Sequence, residues 1–343
     1  MGEYFLRRFL LLILTFLGIT FITFFILQIS PGGPMELEIM KLRGGQTVGE
    51  SAISGRTTTY EIPQSVLNEM KRFYGFDKPI LERYWIWLKN LLTFDLGRSY
   101  SFNHEPVWDV IVSRFPISLR FGIAGFVLSY LLCIPLGIYK AVKHGSKFDM
   151  LTSVIVFVGY SIPGWAMGVL LLVFFGGGSF LSIFPLGGVV SDNYESLSFI
   201  GKIIDILHHM ILPVTSYVIS SFAILTILTK NSVLDNLSRD YVRTAYAKGL
   251  MPRRVLLKHV FRNSLIPIAT GFGHFFSVLL AGSVLIETVF NIDGIGLLSY
   301  KAILYRDYPV TMGLLVIQSL LVMIGNIFSD ILYALIDPRI RFK

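Results

Sequence analysis

Six stretches of this chain stay apolar for about twenty residues each: Phe9–Ile29, Leu119–Tyr139, Leu151–Phe175, Ile211–Thr229, Ile268–Val289 and Val310–Leu335. A helical run of that length matches the hydrocarbon thickness of a bilayer. Lipid offers no partner to a free N–H or C=O, so each run is expected to close its own hydrogen bonds as a helix. The fold class that follows is an all-α integral membrane protein with six transmembrane helices. A mean hydropathy of +0.65 over 343 residues fits no ordinary soluble domain. The first run begins behind Arg7-Arg8, as a secretory leader does. It outlasts a leader's core and ends in Ser30-Pro-Gly-Gly-Pro34, not in a small-x-small cleavage site, so it is read as a retained helix.

A net charge of +8 in a soluble protein would suggest nucleic acid, but here its distribution speaks for membrane topology, and no nucleic-acid partner is expected. Segment 230–267 carries Lys230, Arg239, Arg243, Lys248, Arg253, Arg254, Lys258 and Arg262 against Asp235 and Asp240. Lys140, Lys143 and Lys147 crowd the connection after the second run, whereas 176–210 holds Lys202 against Asp192, Glu195 and Asp205. Basic loops stay inside. Both termini, the 140–150 connection and the 230–267 loop are therefore assigned to the cytoplasm, and 31–118, 176–210 and 290–309 to the outside. The chain divides into an N-terminal transmembrane helix (1–30), an external segment (31–118), a core of five further helices (119–335) and a tail (336–343). Cys133 stands alone, which excludes an intramolecular disulfide and a cysteine metal cluster; it reads as a packing residue.

In the external segment, Gly44–Tyr60 is rich in Gly, Ser and Thr without an apolar period, which marks a loop. Pro63 opens a predicted helix ending at Gly75, with Val66, Met70, Phe73 and Tyr74 on one face. Residues 80–93 set Leu81, Tyr84, Trp85, Leu88 and Leu92 on one face, which suits a helix at headgroup depth or one packed on neighbouring outer segments. Pro106 is expected to start a short helix into the second run. Pro135, Pro163 and Pro213 sit in or at the ends of runs, where proline bends a helix.

Between the fourth and fifth runs lies an insert of another kind: Asp240-Tyr-Val-Arg-Thr-Ala-Tyr-Ala-Lys-Gly249, then Leu250-Met-Pro-Arg-Arg254 and Lys258-His-Val-Phe-Arg-Asn263. Ser238 is placed to cap a helix over Arg239–Lys248 with Val242, Ala245 and Tyr246 on a compact face. Gly249 supplies a left-handed stop. Pro252 suits the first turn of a second helix to about Asn263, with Val255, Leu256 and Val260 on one side. Basic residues that merely anchor an inner loop explain the charge. They do not explain an amphipathic helix, a glycine stop and a proline restart together. The insert is therefore read as a docking surface, its apolar face and basic rim giving packing and register to a soluble partner.

Arg243-Thr244-Ala245, Gly249 and Ile266-Pro267 resemble the cytoplasmic coupling loop, the EAA loop, of ABC importer permeases: Glu-Ala-Ala, three residues, Gly, and a later Ile/Leu-Pro. The glutamate is missing; Tyr-Val-x-Thr-Ala-x-Ala-Lys-Gly is the form that peptide importer permeases show. Arg7-Arg8 with Ser30-Pro-Gly-Gly-Pro34, Glu287-Thr-Val-Phe290, Gly294-Ile-Gly296, Arg306-Asp-Tyr-Pro309 and Asp337-Pro-Arg339 are similar to oligopeptide/dipeptide permeases over nearly the whole chain. Tyr74-Gly-Phe-Asp-Lys-Pro79, Glu82-Arg-Tyr84, Leu228-Thr-Lys-Asn-Ser232 and Asp337-Pro-Arg-Ile340 narrow the likeness to the B subunit of Yej-type importers. The resemblance implies the type I ABC importer permease fold in a bacterial inner (cytoplasmic) membrane, in contact with membrane lipid. It implies one half of a translocation pore, completed by a second homologous permease subunit, cytoplasmic ABC ATPase domains and an external peptide-binding protein. The cargo it implies is peptide, including peptide antibiotics of the microcin C type. It implies no enzyme and no cofactor in this chain, with ATP and Mg bound by the partner ATPase. ATPase coupling falls by this resemblance on Tyr241, Arg243, Thr244, Ala245, Lys248, Gly249, His259, Arg262 and Asn263.

No Gly-x-x-x-x-Gly-Lys-Ser/Thr P-loop and no His-Glu-x-x-His occur. His208 and His209 are adjacent and so share no helix face, which argues against a metal site. Two other classes are open. An intramembrane serine protease would use Gly159-Tyr-Ser161 with a distant base such as His274. An ion-coupled secondary transporter would need an ionisable group deep in a span, and Glu287 is the best candidate, although its place near the outer end of a run suits a brace for 290–309. Ser161, Ser220, Thr226, Gln318 and Asn326 are candidates for lining a pore or for bonding a neighbouring helix.

Overall fold

The computed structural model describes residues 2–42, 63–178, 180–269 and 283–336. Gly44–Tyr60, His274, the tail from Asp337 and most of the run Ile268–Val289 lie outside the described residues. In chain order the helices are α1 (Gly2–Ile29), α2 (Pro34–Leu42), α3 (Gln64–Phe73), α4 (Ile80–Leu92), α5 (Val107–Val142), α6 (Lys147–Ser161), α7 (Gly164–Phe175) and α8 (Phe199–Leu237). They continue as α9 (Asp240–Ala247), α10 (Pro252–Arg254), a π-helical Val255–Val260, α11 (261–269), α12 (Val284–Val289), α13 (Ile295–Leu304) and α14 (Tyr308–Ile336). Among the described residues no strand forms, only isolated bridges between Arg98 and Pro106 and between Gly176 and Phe184.

Among the described residues four helical stretches are long and apolar enough to cross a membrane: Arg7–Met40, Val107–Val142, Phe199–Leu237 and Tyr308–Leu332. α6 and α7 reach that length only as a pair, bent by 93°, which is the form of a broken span or of a re-entrant loop. The single helix expected over Leu151–Phe175 is thus two. Ile162 is extended (φ −105°, ψ 117°) because the ring of Pro163 disfavours the helical region for the residue before it. Pro135 and Pro213, by contrast, are carried inside α5 and α8. Pro106 precedes no short helix but the 36 residues of α5. At about 1.5 Å per residue, α5 and the 39-residue α8 run for about 54 and 58 Å, well past the hydrocarbon, so both carry turns outside it.

The chain forms two compact units. The first comprises Met1–Tyr4, Arg114–Leu298 and Gln318–Lys343. Its main core joins Phe121 of α5, Leu212, Val214 and Val218 of α8, and Ile286, Phe290 and Ile292 in and after α12. α7 lies close on α8 because Gly164 allows it: a Cβ there would stand 2.8 Å from the Ser216 carbonyl oxygen. The loop before α8 is pinned by Asp205, whose carboxylate accepts from the Ser191 hydroxyl and backbone N–H.

The second unit comprises Phe5–Ser113 and Ser299–Ile317. α4 packs on α1 through Tyr84, whose hydroxyl lies 3.2 Å from Thr20 Oγ1, and through a buried cluster of Phe24, Tyr84 and Met312. Tyr84 and Leu88 therefore turn to α1, while Leu81, Trp85 and Leu92 of the same predicted face stay exposed. α3 starts behind Pro63 and stops before Gly75, as its sequence predicts. Asp307 explains the Arg306-Asp-Tyr-Pro309 segment. Fully buried, its Oδ2 accepts from the Ser99 hydroxyl and from the N–H of Tyr100 (3.0 Å) and Ser101 (2.9 Å), and its Oδ1 from the N–H of Val310 (3.3 Å). One carboxylate caps α14 and holds the 99–101 loop. Burial, then that carboxylate, push the Tyr100 phenol upward, so its ring stays neutral.

Candidate functional site

α8 closes on Ser238, whose hydroxyl donates to the Asp235 carbonyl (2.8 Å). Ser238 thus ends the preceding helix and does not cap the next. α9 opens behind an extended Arg239 with no side-chain cap, and Asp240 in its first turn meets the positive end of the helix dipole. The helix stops at Gly249, whose φ of +75° is the predicted left-handed turn, and the Leu250 N–H bonds back to the Ala245 carbonyl (3.3 Å). A Cβ on Gly249 would meet nothing within 4 Å, so the demand for glycine is one of backbone conformation, not of space. Pro252 takes the first position of α10, as predicted. The helix then widens to π over Val255–Val260, and its i→i+5 bonding aligns Val255 with Val260.

Val242 and Ala245 of α9 and Val255 and Val260 of the π turn close on Ala141 of α5 and Val233 of α8 in one buried cluster. Of the apolar face expected to meet a partner, Val242 and Ala245 are therefore spent on the chain's own helices while Tyr246 stays exposed at 44%, and Ala245, 5% exposed, is small for that packing. Ser232 and Ser264 fasten the return: each hydroxyl donates to the other's carbonyl at 3.1 Å. What the loop presents outward is its other side. Tyr241, Arg243, Thr244, Lys248, Gly249, Arg262 and Asn263 are exposed and His259 is half-buried. Tyr241 donates to Asn236 Oδ1 (2.7 Å), and Arg243 stands 3.6 Å from Asp240, which is more exposed still. A concavity of about 530 Å³ opens beside them, lined by Leu250, Met251, Arg253, Arg254, Leu257 and Lys258 along with Gly249. Met251 is 76% and Leu257 51% exposed. The sequence points to the glycine and the basic rim of this notch but not to its apolar floor of Met251 and Leu257. The available signal was that Met251 and Leu257 fall off the Val255–Val260 face. Two exposed apolar side chains inside a rim of three cations suit a partner with an apolar projection and an acidic border.

The pore candidates separate. Ser161, Ser220 and Asn326 are exposed and Gln318 is half-buried. The hydroxyls of Ser161 and Ser220 bond back to Phe157 (3.0 Å) and Ser216 (2.9 Å) in their own helices. Thr226 is fully buried beside Cys133 of α5, which fits the second of its two expected roles, contact with a neighbouring helix. Glu287 is a brace. Its Oε1 accepts from the Ser118 hydroxyl (2.8 Å) and its Oε2 from the Leu297 N–H (3.0 Å) at the start of α13. His208 reaches the Ile183 carbonyl while His209 is buried against that of Asp205, and among the described residues no cluster suited to a metal ion occurs.

Helices of membrane length joined to a short, basic two-helix loop fit a membrane permease. The family model described as "binding-protein-dependent transport system inner membrane component" matches residues 133–342. The inner membrane ABC transporter permease protein YejB of Escherichia coli O157:H7 is 44% identical over all of this chain and all of its own length. The peptidoglycan transport system permease protein YejB of Agrobacterium fabrum is 42% identical over 100% of this chain and 99% of its own. The oligopeptide transport system permease protein AppB of Bacillus subtilis is 35% identical with full coverage of both. Among solved structures, an inward-facing MetNI methionine ABC transporter shares the fold, with a TM-score of 0.52 at 17% identity over 68% of this chain and 99% of that one. The chain belongs to the family of binding-protein-dependent transport system inner membrane components. It is a multi-pass permease subunit of an inner membrane ABC importer of the type I fold, a family whose members are non-catalytic and leave ATP hydrolysis to a partner ATPase.

Proposed function

We propose that this chain forms half of the translocation pore of a peptide importer, and that its 239–263 loop is where the ATPase takes hold. The observation that carries this is the two-sided build of the loop: a closed apolar core toward α5 and α8, and an exposed basic and apolar notch on the other side. Such a loop does not move alone. A push on α9 reaches Val233 and Ala141 through Val242 and Ala245 and so displaces two long helices, a two-state motion that needs no covalent chemistry here. Tyr241, Arg243, Lys248, Gly249, Arg262 and Asn263 would border the docked ATPase, with Met251 and Leu257 at its centre. ATP and Mg would sit on that ATPase. A second homologous permease chain would complete the pore, and an external binding protein would deliver peptide to the outer segments. The relatives' names speak of oligopeptide transport and of peptidoglycan transport. Both termini and the 239–263 loop would lie in the cytoplasm.

The test is reconstitution of the whole importer in liposomes, with peptide uptake and ATP hydrolysis read together. Uptake that needs ATP, resists collapse of ion gradients and is lost on Leu257→Glu with weakened ATPase association is the expected result. Normal association and uptake in Leu257→Glu would remove the notch from the interface.

A further inference from the structure

The Leu228-Thr-Lys-Asn-Ser232 segment, beyond its likeness to other permeases, ends a charged knot at one carboxylate. Asp149, at the start of α6, is 5% exposed. Its Oδ1 lies 2.7 Å from Lys230 Nζ of α8 and 3.2 Å from Lys140 Nζ of α5. Its Oδ2 lies 2.8 Å from Lys230 Nζ, 3.2 Å from the Gly145 N–H and 3.3 Å from His144 Nδ1. Lys140, 1% exposed, also donates to the Asp149 carbonyl (3.0 Å), Thr152 Oγ1 (2.7 Å) and Ser153 Oγ (2.9 Å). One side chain thus ties the end of α5, the start of α6 and the last turns of α8.

Desolvating these charges costs several kcal/mol per ion, and apolar side chains of similar volume would hold three helices at least as firmly. What charged bonds add to packing is a fixed register. The knot's position gives that register a use. Lys140 is next to Ala141, and Lys230 is one turn before Val233; Ala141 and Val233 are the residues on which the 239–263 loop closes. α6 contributes nothing to that cluster. α6 packs along α8, and it leads to the 93° bend into α7.

We propose that Asp149, with Lys230 and Lys140, is the positioning element that makes α6, and with it the bent α6–α7 pair, move together with the 239–263 loop. This rests on that loop being the site of ATPase docking. Apolar contacts between parallel ridges let α6 slip on α8; a carboxylate chelated by an ammonium group from each neighbour does not.

Two cations serve one carboxylate, so the knot can be cut without stranding a charge. Lys230→Met leaves Asp149 paired with Lys140 and removes the charged tie between α8 and α6, leaving their packing in place. Asp149→Asn instead leaves the buried Lys140 and the half-buried Lys230 without their shared counter-charge, and is expected to damage folding. The experiment uses the complete importer in liposomes and reads assembly, ATP hydrolysis and peptide taken up per ATP. Lys230→Met should assemble and hydrolyse ATP as wild type does, while uptake per ATP falls about tenfold, within the usual range for coupling between sites. Lys230→Arg, which keeps the bond, should restore it. Unchanged uptake per ATP in Lys230→Met overturns the proposal. So does parallel loss of assembly, hydrolysis and uptake in Lys230→Met, which assigns the knot to folding alone. Gly249→Val run alongside separates the two claims. If it abolishes uptake while Lys230→Met does not, only the knot's role fails; if it leaves uptake intact, the docking assignment fails and takes this one with it.

Discussion

At Gly249 the strain of a substitution and its steric cost come apart. With a φ of +75° and open space around a Cβ, Gly249→Val displaces no neighbour but works against the left-handed backbone at roughly 1–2 kcal/mol. The stop after α9 should shift, the notch should lose its shape, and uptake should vanish from a complex that still inserts and binds its external protein. Ala245→Trp acts elsewhere. It forces volume into the cluster of Val242, Val255 and Val260, where overpacking costs about 1–3 kcal/mol or more. Limited trypsin digestion should then cut the loop at Arg253 or Arg254 faster than in wild type, and equal cutting rates would contradict the buried position of Ala245. Arg243→Glu, on a residue exposed and only loosely paired with Asp240, should change ATPase association by at most about 1 kcal/mol. Asp307→Ala leaves the Ser99 hydroxyl and the N–H groups of Tyr100 and Ser101 without their acceptor, at about 1–3 kcal/mol for each group kept from water. Faster hydrogen exchange at 99–101 is the expected sign; unchanged protection there would show that the loop is held by something else.

Among the elements, what the sequence made legible follows local rules. Gly249 and Pro252 punctuate a helix wherever they stand, and Glu287 could be read as a brace because α13 follows it within a few residues. The misread features depend on distant partners. Ala245 looked like an interface residue because nothing in its own segment shows Ala141 and Val233 arriving from α5 and α8. Lys140 looked like one more cation of an inner loop until Lys230 and Asp149 closed round it. Ser238 sits where either of two helices might claim it, and the geometry of the α8 end decided the matter. The bend at Ile162 was readable from Pro163, but proline is common enough in membrane helices that only the structure distinguishes a 93° break from the tolerated Pro135 and Pro213. The charge pattern makes its own prediction for these elements. On a Cys133→Ser background, Asp192→Cys should react with an impermeant thiol reagent in intact cells and Gly249→Cys only after permeabilisation. Labelling of Gly249→Cys from outside would invert the assigned topology.

For the whole molecule, the outer segments pose the question of delivery. If the proposed topology holds, the helices α3 and α4 with the Asp307-anchored loop, and separately the Asp205-anchored loop before α8, would each offer ordered surface to an external protein. Cross-linkers placed at exposed positions in each should capture the binding protein, and failure at all of them during normal uptake would remove that role. α8 reaches further. It is one unbroken helix from the turn after Ser198 to Leu237, tied near its start by Asp205 to Ser191 and near its end by Ser232 to Ser264. A rod has no preferred direction of transmission. If the ATP-bound arrangement at its inner end favours one arrangement of the outer loop by some factor, whatever stabilises that outer arrangement must tighten ATP binding by the same factor. A cargo carrier that docks there is then also an effector of the ATPase, and nucleotide affinity measured with and without it reports on events at the far side of the membrane.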